Sequence, residues 1–296
     1  VTDPARGAGA GDAGRQGVTR SPAGRAGRDF PPNPPEKPGY RLEFDDAFDG
    51  DTLDHHKWLP FYLPQWSSRT RSAARYGLTG HSLQLRIDED QAPWNPEFDG
   101  ELRVSSLQTG CFAGAVGSSV GQHRFKPGLT VKEAQETRRL YTPRYGYFEV
   151  RLKAVPTPGY MAALWMIGFE ETPEASAEIC ICEIFGAGMT PDSAQVGYGV
   201  HPFGDPALRD EFYVDTLPID AARYHVYAVD WTPDRLDFYV DNVRTRSIHQ
   251  SPAYAMQFML NIYELPHQLP GGARGAPWPK VMEVDYVRGY RRLHTP

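Results

Sequence analysis

The sequence predicts an all-β fold, a β-sandwich of two antiparallel sheets, and three observations carry that expectation. From Tyr40 onward, short runs rich in Val, Ile, Tyr, Phe and Trp are separated by Gly, Pro, Asn and Asp at the spacing of antiparallel strands. The run GYFEVRLKAV alternates with a period of two, with Phe148, Val150, Leu152 and Ala154 on one face and Tyr147, Glu149, Arg151 and Lys153 on the other. Helical periodicity is scarce throughout. For that run the expectation is one face in the core and one in water.

Taken in order, residues 1–38 are mostly Gly, Ala, Arg and Pro and end in FPPNPPEKPG. Such a stretch cannot build a core, so 1–38 is expected to be a disordered tail and 39–296 a single sandwich domain. Strands are expected at SLQLRID, GELRVSSLQTG, YMAALWMIGF, AQVGYGVH, AMQFMLNIY and MEVDYVRGY. Within HVYAVDWTPDRLDFYVDNVRTRSI, Thr232-Pro233-Asp234 and Asp241-Asn242 are turn signals, which makes a three-stranded meander.

The composition excludes several classes. Past the tail the chain holds 25 basic and 33 acidic residues, a net of −8, which argues against nucleic acid. The uncharged run Ala154 to Phe169 is broken by prolines and glycine and is shorter than the ~20 apolar residues of a spanning helix, so no membrane partner is expected. The three cysteines, an odd number at uneven spacing, do not form a disulfide framework.

The stretch SAEICICEIFG sets Glu178 and Glu183 in an otherwise apolar strand. Strict alternation would send residues five apart to opposite faces. A one-residue bulge near Ile181 and Cys182 would instead turn Glu178, Cys180 and Glu183 to one side. Strand rise then separates the two Cα atoms by roughly 13 Å, and inclined side chains could bring the carboxyls to the ~5 Å of a retaining glycosidase. One carboxylate would attack an anomeric carbon while the other, protonated, assists departure of the leaving oxygen. The motif alone leaves open an ordinary pair, one glutamate in solvent and one bound to an arginine. A third reading takes Cys180 and Cys182 as metal thiolates sharing a strand face.

Residues 40–292 resemble, colinearly, glycoside hydrolase family 16, the laminarinase and lichenase group. The resemblance is carried by FDDAFDGDTLDHHKW, RYGYFEVRLKA followed by AALWMIG, HVYAVDWTPDRLDFYVD, QSPAYAMQFMLNIY and VDYVRGY, with EICICE where the family has ExDxxE. It implies a concanavalin A-like jelly roll with a concave substrate cleft, and retaining, endo-acting hydrolysis of a β-linked polysaccharide, with β-1,3- or β-1,3/1,4-glucan expected. By the same resemblance Glu178 is the nucleophile, Glu183 the general acid and base, and Cys180 stands at the family's aspartate. A thiol there donates weakly and carries no charge when neutral, so the proton balance of the trio is expected to shift.

The resemblance also places Trp165 on the cleft and His201 near the cleavage point. Trp66 and Trp94, in loop-like stretches, are expected to be exposed indoles that bind sugar. A structural calcium is possible through the Asp285 carboxylate and the Gly80 carbonyl; no cofactor is otherwise required. A monomer is expected, with polysaccharide as the partner and an extracellular location inferred from a polymeric substrate and a Pro-rich start without a leader. The competing reading is a lectin-like, non-catalytic binder of the same glycans.

Overall fold

Alternation sorts the side chains of most strands into two layers. The computed structural model describes residues 28–270, 275 and 277–293. In chain order the strands are β1 (Tyr40–Asp46), β2 (Arg75–Leu78), β3 (Leu83–Ile87), β4 (Arg103–Gln108), β5 (Gly110–Cys111), β6 (Arg138–Arg139), β7 (Gly146–Lys153) and β8 (Tyr160–Gly168). They continue with β9 (Glu178–Thr190), β10 (Ser193–His201), β11 (Glu211–Leu217), β12 (His225–Trp231), β13 (Leu236–Val240), β14 (Val243–Ile248), β15 (Met256–Glu264) and β16 (Lys280–Arg292). One sheet runs β14-β13-β12-β7-β16-β3-β2, with β1 beside the end of β16; the other runs β11-β10-β9-β8-β15-β4. Neighbours in both are antiparallel.

The inward faces meet in one apolar core. Phe148, Val150 and Leu152 of β7 face Leu164 and Met166 of β8 and Phe258, Leu260 and Ile262 of β15. Each such side chain is fully buried, and each contributes about 1.5–3 kcal/mol. The meander forms where expected, as β12, β13 and β14. Its second turn has Asp241 and Asn242 at φ 51° and 65°, the left-handed pair of a tight hairpin. Strands β2 and β11 lie outside the runs singled out as strands. β11 pairs with β10 along one edge of the six-stranded sheet.

The other face of β7 is not wet. Tyr147, Glu149 and Arg151 are 7%, 0% and 7% exposed because residues 28–38 lie across them. Asn33 Nδ2 donates to Glu149 Oε2 at 2.9 Å, Arg151 Nε to the Phe30 carbonyl at 2.9 Å, and Arg288 Nη1 to the Asn33 carbonyl at 2.7 Å. Lys37 Nζ sits 3.8 Å above the Tyr147 ring and 3.9 Å from Glu149 Oε2. The Pro-rich stretch loses little backbone entropy on docking, and its carbonyls satisfy arginines of the sheet. The tail expected over 1–38 therefore divides. Residues 28–38 belong to the sandwich, and 1–27 lie outside the described residues.

Asn33→Ala removes one of the hydrogen bonds that solvate the buried Glu149 carboxylate. It is expected to lower stability by about 1–2 kcal/mol in urea unfolding; an unchanged midpoint would show that Glu149 does not depend on this segment.

Candidate active site

The site is built by an irregularity in β9. Against β8, Glu178 is opposite Ile167 and Cys180 opposite Trp165, but the next residue of β8, Leu164, is opposite Cys182. Ile181 is the extra residue. The register against β10 shifts at the same place, with Gly199 opposite Cys180 and Gly197 opposite Glu183. Beyond the bulge Glu183 aligns with Ala163, so Glu178, Cys180 and Glu183 all project from the outer face of the six-stranded sheet. Ile179, Ile181, Cys182 and Ile184 point into the inter-sheet core. Cys182 thus faces away from Cys180, and the two cannot act as a pair of metal thiolates. Gly197 and Gly199 leave room for Phe212: a Cβ at 197 would lie 2.5 Å from its ring and one at 199 would lie 2.6 Å from its Cα.

Loops fold back over this face and bury most of it. Tyr62, Trp66, Trp94, Met259 and Tyr263 form a second apolar cluster with Trp165. Trp66 and Trp94 are 0% and 1% exposed, which corrects the expectation of open sugar-binding indoles. Their N–H groups are satisfied inside the protein, Trp66 donating to the Gln122 carbonyl at 2.7 Å and Trp94 to Asp99 Oδ2 at 2.8 Å. Polar, Pro-containing loop sequence said nothing of which face its aromatics turn inward. Trp165 lies beside Cys180 as expected, yet it too is buried. Its Nε1 donates to Asn261 Oδ1 at 2.6 Å, and the His123 ring packs edge-on against it at 5.6 Å.

His201 ends β10 directly opposite Glu178. Its Nδ1 is 2.6 Å from Asp210 Oδ1, and its ring stacks on Phe212 at 5.0 Å. Sequence reasoning missed two further residues. His123, at φ 53°, brings Nδ1 to 3.2 Å from Glu178 Oε1, and its backbone N–H donates to Glu170 Oε1 at 2.5 Å. Both it and Glu170 (φ 55°) adopt the left-handed backbone that costs a side chain about 1–2 kcal/mol, so the pair is held by its surroundings. The only sequence signal was a histidine in a Gly- and Ser-rich loop, which has no periodicity to read.

The carboxyls differ in setting. Glu178 is 3% exposed and Glu183 half-buried. Burial first, and then the charge of Glu183, pushes the Glu178 carboxyl up to about 7. Burial also raises Glu183, opposed by the His201 imidazole and by the Cys180 thiol, which donates to it. The thiol therefore serves Glu183. Burial drives the Cys180 thiol well above its usual range, so it remains protonated, and holds His123 neutral. Glu170, burial again foremost, is pushed up to about 8.

The residues expected to hold calcium do not fit it. Asp285 Oδ2 accepts from Arg151 Nη1 at 2.7 Å, so a guanidinium already neutralises the carboxylate that a hard dication needs among its six to eight oxygens. Gly80, at φ 84°, is a turn glycine.

Residues 129–287 match the family described as Glycosyl hydrolases family 16. Among solved structures, the chain is similar to the GlcNAcα1-4Gal releasing endo-β-galactosidase of Clostridium perfringens, at 34% identity and a TM-score of 0.77 over 90% of this chain and 66% of that one. The endo-1,3-β-glucanase (laminarinase) catalytic domain of Thermotoga petrophila RKU-1 shares the fold, at 16% identity and a TM-score of 0.59, over 86% of this chain and 99% of that one. A curated relative, glucan endo-1,3-beta-glucosidase A1 of Niallia circulans, is 24% identical over 281 residues, 88% of this chain and 39% of its own length. The two sheets are those of the expected jelly roll.

The raised Glu178 carboxyl has a consequence for stability. Its proton is held more tightly folded than unfolded, so the associated stability is full below the unfolded value of 4.5 and is lost as pH rises through about 7. Glu178→Gln is expected to stabilise the protein at pH 8 by on the order of 2 kcal/mol and to have little effect below about pH 4.5. Urea unfolding at the two pH values checks it.

Proposed function

Because the chain belongs to the glycosyl hydrolases of family 16, we propose that it is a retaining, endo-acting glycoside hydrolase with Glu178 as nucleophile and Glu183 as general acid and base. The observation that supports this most directly is the bulge at Ile181, which gives the two carboxyls a common face. In the first step Glu178 attacks the anomeric carbon, and the bond to the leaving oxygen breaks as Glu183 donates its proton to that oxygen. In the second, Glu183 takes a proton from water, whose oxygen displaces Glu178 from the sugar. Glu183, the more exposed of the two, suits the residue that must meet both leaving group and water.

The substrate proposed first is a glycan with internal β-galactosidic bonds. It is supported by the 34% identity to an endo-β-galactosidase across 90% of this chain. A β-1,3- or β-1,3/1,4-glucan is the second reading, supported by the Niallia relative that aligns with 88% of the chain. Polymeric substrate and extracellular location go together in this reading. A binder without turnover is the competing class.

Reducing-end release is to be measured on laminarin, on lichenan, and on β-galactoside glycans with and without terminal GlcNAcα1-4Gal. The expected result is cleavage of the last group, with products first appearing in the configuration of the substrate bond. Glu178→Gln is expected to abolish it, and Glu183→Gln to slow it by about 10²–10⁴-fold. Binding without released ends on every glycan would establish the lectin-like class.

The pH profile is the second test. The nucleophile must be ionised, so the rate is expected to fall below about pH 7 as Glu178 takes up its proton. Cys180→Asp places a carboxyl beside Glu183 and disfavours its ionised form, which moves the alkaline limb upward. An unchanged profile in that variant would mean position 180 has no electrostatic part in the reaction.

A further inference from the structure

Glu178, Cys180 and His201 each present one donor atom to a common point, all within 4.8 Å of one another. The three side chains are 3%, 0% and 7% exposed. His123 lies against one member of the group, its Nδ1 3.2 Å from Glu178 Oε1. Among the described residues, neither ring nitrogen of His123 nor that carboxylate oxygen has a hydrogen-bond partner. Unsatisfied polar atoms at this depth are costly and call for an explanation.

The cluster itself supplies one. From this geometry we infer that Glu178, Cys180 and His201 form a three-ligand site for one divalent ion of the zinc type, with an exchangeable solvent ligand completing the tetrahedron. We infer further that its occupation shuts off the reaction by engaging the Glu178 carboxylate.

The donor set selects the ion. Sulfur with one imidazole and one carboxylate suits zinc, whereas calcium and magnesium want six or more oxygens. Asp210, 2.6 Å from His201 Nδ1, orients that ring from outside, as carboxylates do behind metal-binding imidazoles. On binding, the Cys180 thiol gives its proton to solvent and its sulfur bonds the ion. The metal site stands independently of the hydrolase reading; only its inhibitory effect rests on that reading.

Purified protein is to be titrated with Co2+ and then Zn2+. The expected result is one Co2+ per chain with a thiolate-to-metal charge-transfer band, displaced by Zn2+, and a rise in unfolding temperature with either ion. Cys180→Ser is expected to abolish the band and weaken Zn2+ binding at least about 100-fold, more than the 10–100-fold typical of losing an outer partner. His201→Gln is expected to keep the band at reduced affinity, which guards against a misfolded serine variant. Zn2+ should also reversibly inhibit turnover in wild type, with relief by chelator. Absence of the band, or Zn2+ affinity equal in wild type and Cys180→Ser, overturns the site whatever the glycan assays show. A metal-binding protein that cleaves no glycan would keep the site and sink the hydrolase reading alone.

Discussion

A single additional residue in β9 decides which side chains share a face. With regular pairing, either Glu178 or Glu183 would point between the sheets, among Leu164, Ile184 and Leu260. An unpaired carboxylate there costs several kcal/mol or has to take up a proton. Ile181 removes the conflict by placing two consecutive apolar side chains, its own and that of Cys182, into the core. Both neighbouring strands accept the shift, so it is fixed on two sides.

The rest of the site follows from how the outer face is covered. A sheet with Met161, Ala163, Trp165 and Ile167 on that face needs a lid of its own, and the loops carrying Tyr62, Trp66 and Trp94 provide it. The same covering withdraws Glu178 from water and brings His123 against it. Desolvation thus raises Glu178 more than any neighbouring charge does. The thiol at position 180 adds a donor without a charge, and gives it to the carboxyl nearer solvent.

Much of this was legible in the chain, for identifiable reasons. Period-two alternation exposed β7, runs of apolar and aromatic residues exposed β8 and β15, and Asp241-Asn242 exposed a hairpin, because each is a local signal. The bulge was legible indirectly, since two acids five apart in an apolar strand demand either burial of a charge or a change of register. The contribution of residues 28–38 was not, because a Pro-rich stretch looks the same whether it is solvated or laid on a sheet whose arginines it satisfies. Trp66 and Trp94 were misjudged because composition does not report facing. His123 and Glu170 come from loops far apart in sequence and meet only after the sheets have formed, so no spacing could announce them. The metal reading of the cysteines paired Cys180 with Cys182, which is close in sequence, whereas Glu178 and His201 are the groups close to it in space.

The His123 ring packs edge-on against Trp165 and stands 3.2 Å from Glu178, and the Phe203 ring packs on His123 in turn. On the proposed mechanism a pyranose that reached Glu178 would meet these side chains and would have to dislodge them. Part of its contact energy would go into that displacement, so a short oligosaccharide would bind weakly. A long polymer gripping the surface at several points would be better able to supply that work, as suits an enzyme that cuts within chains.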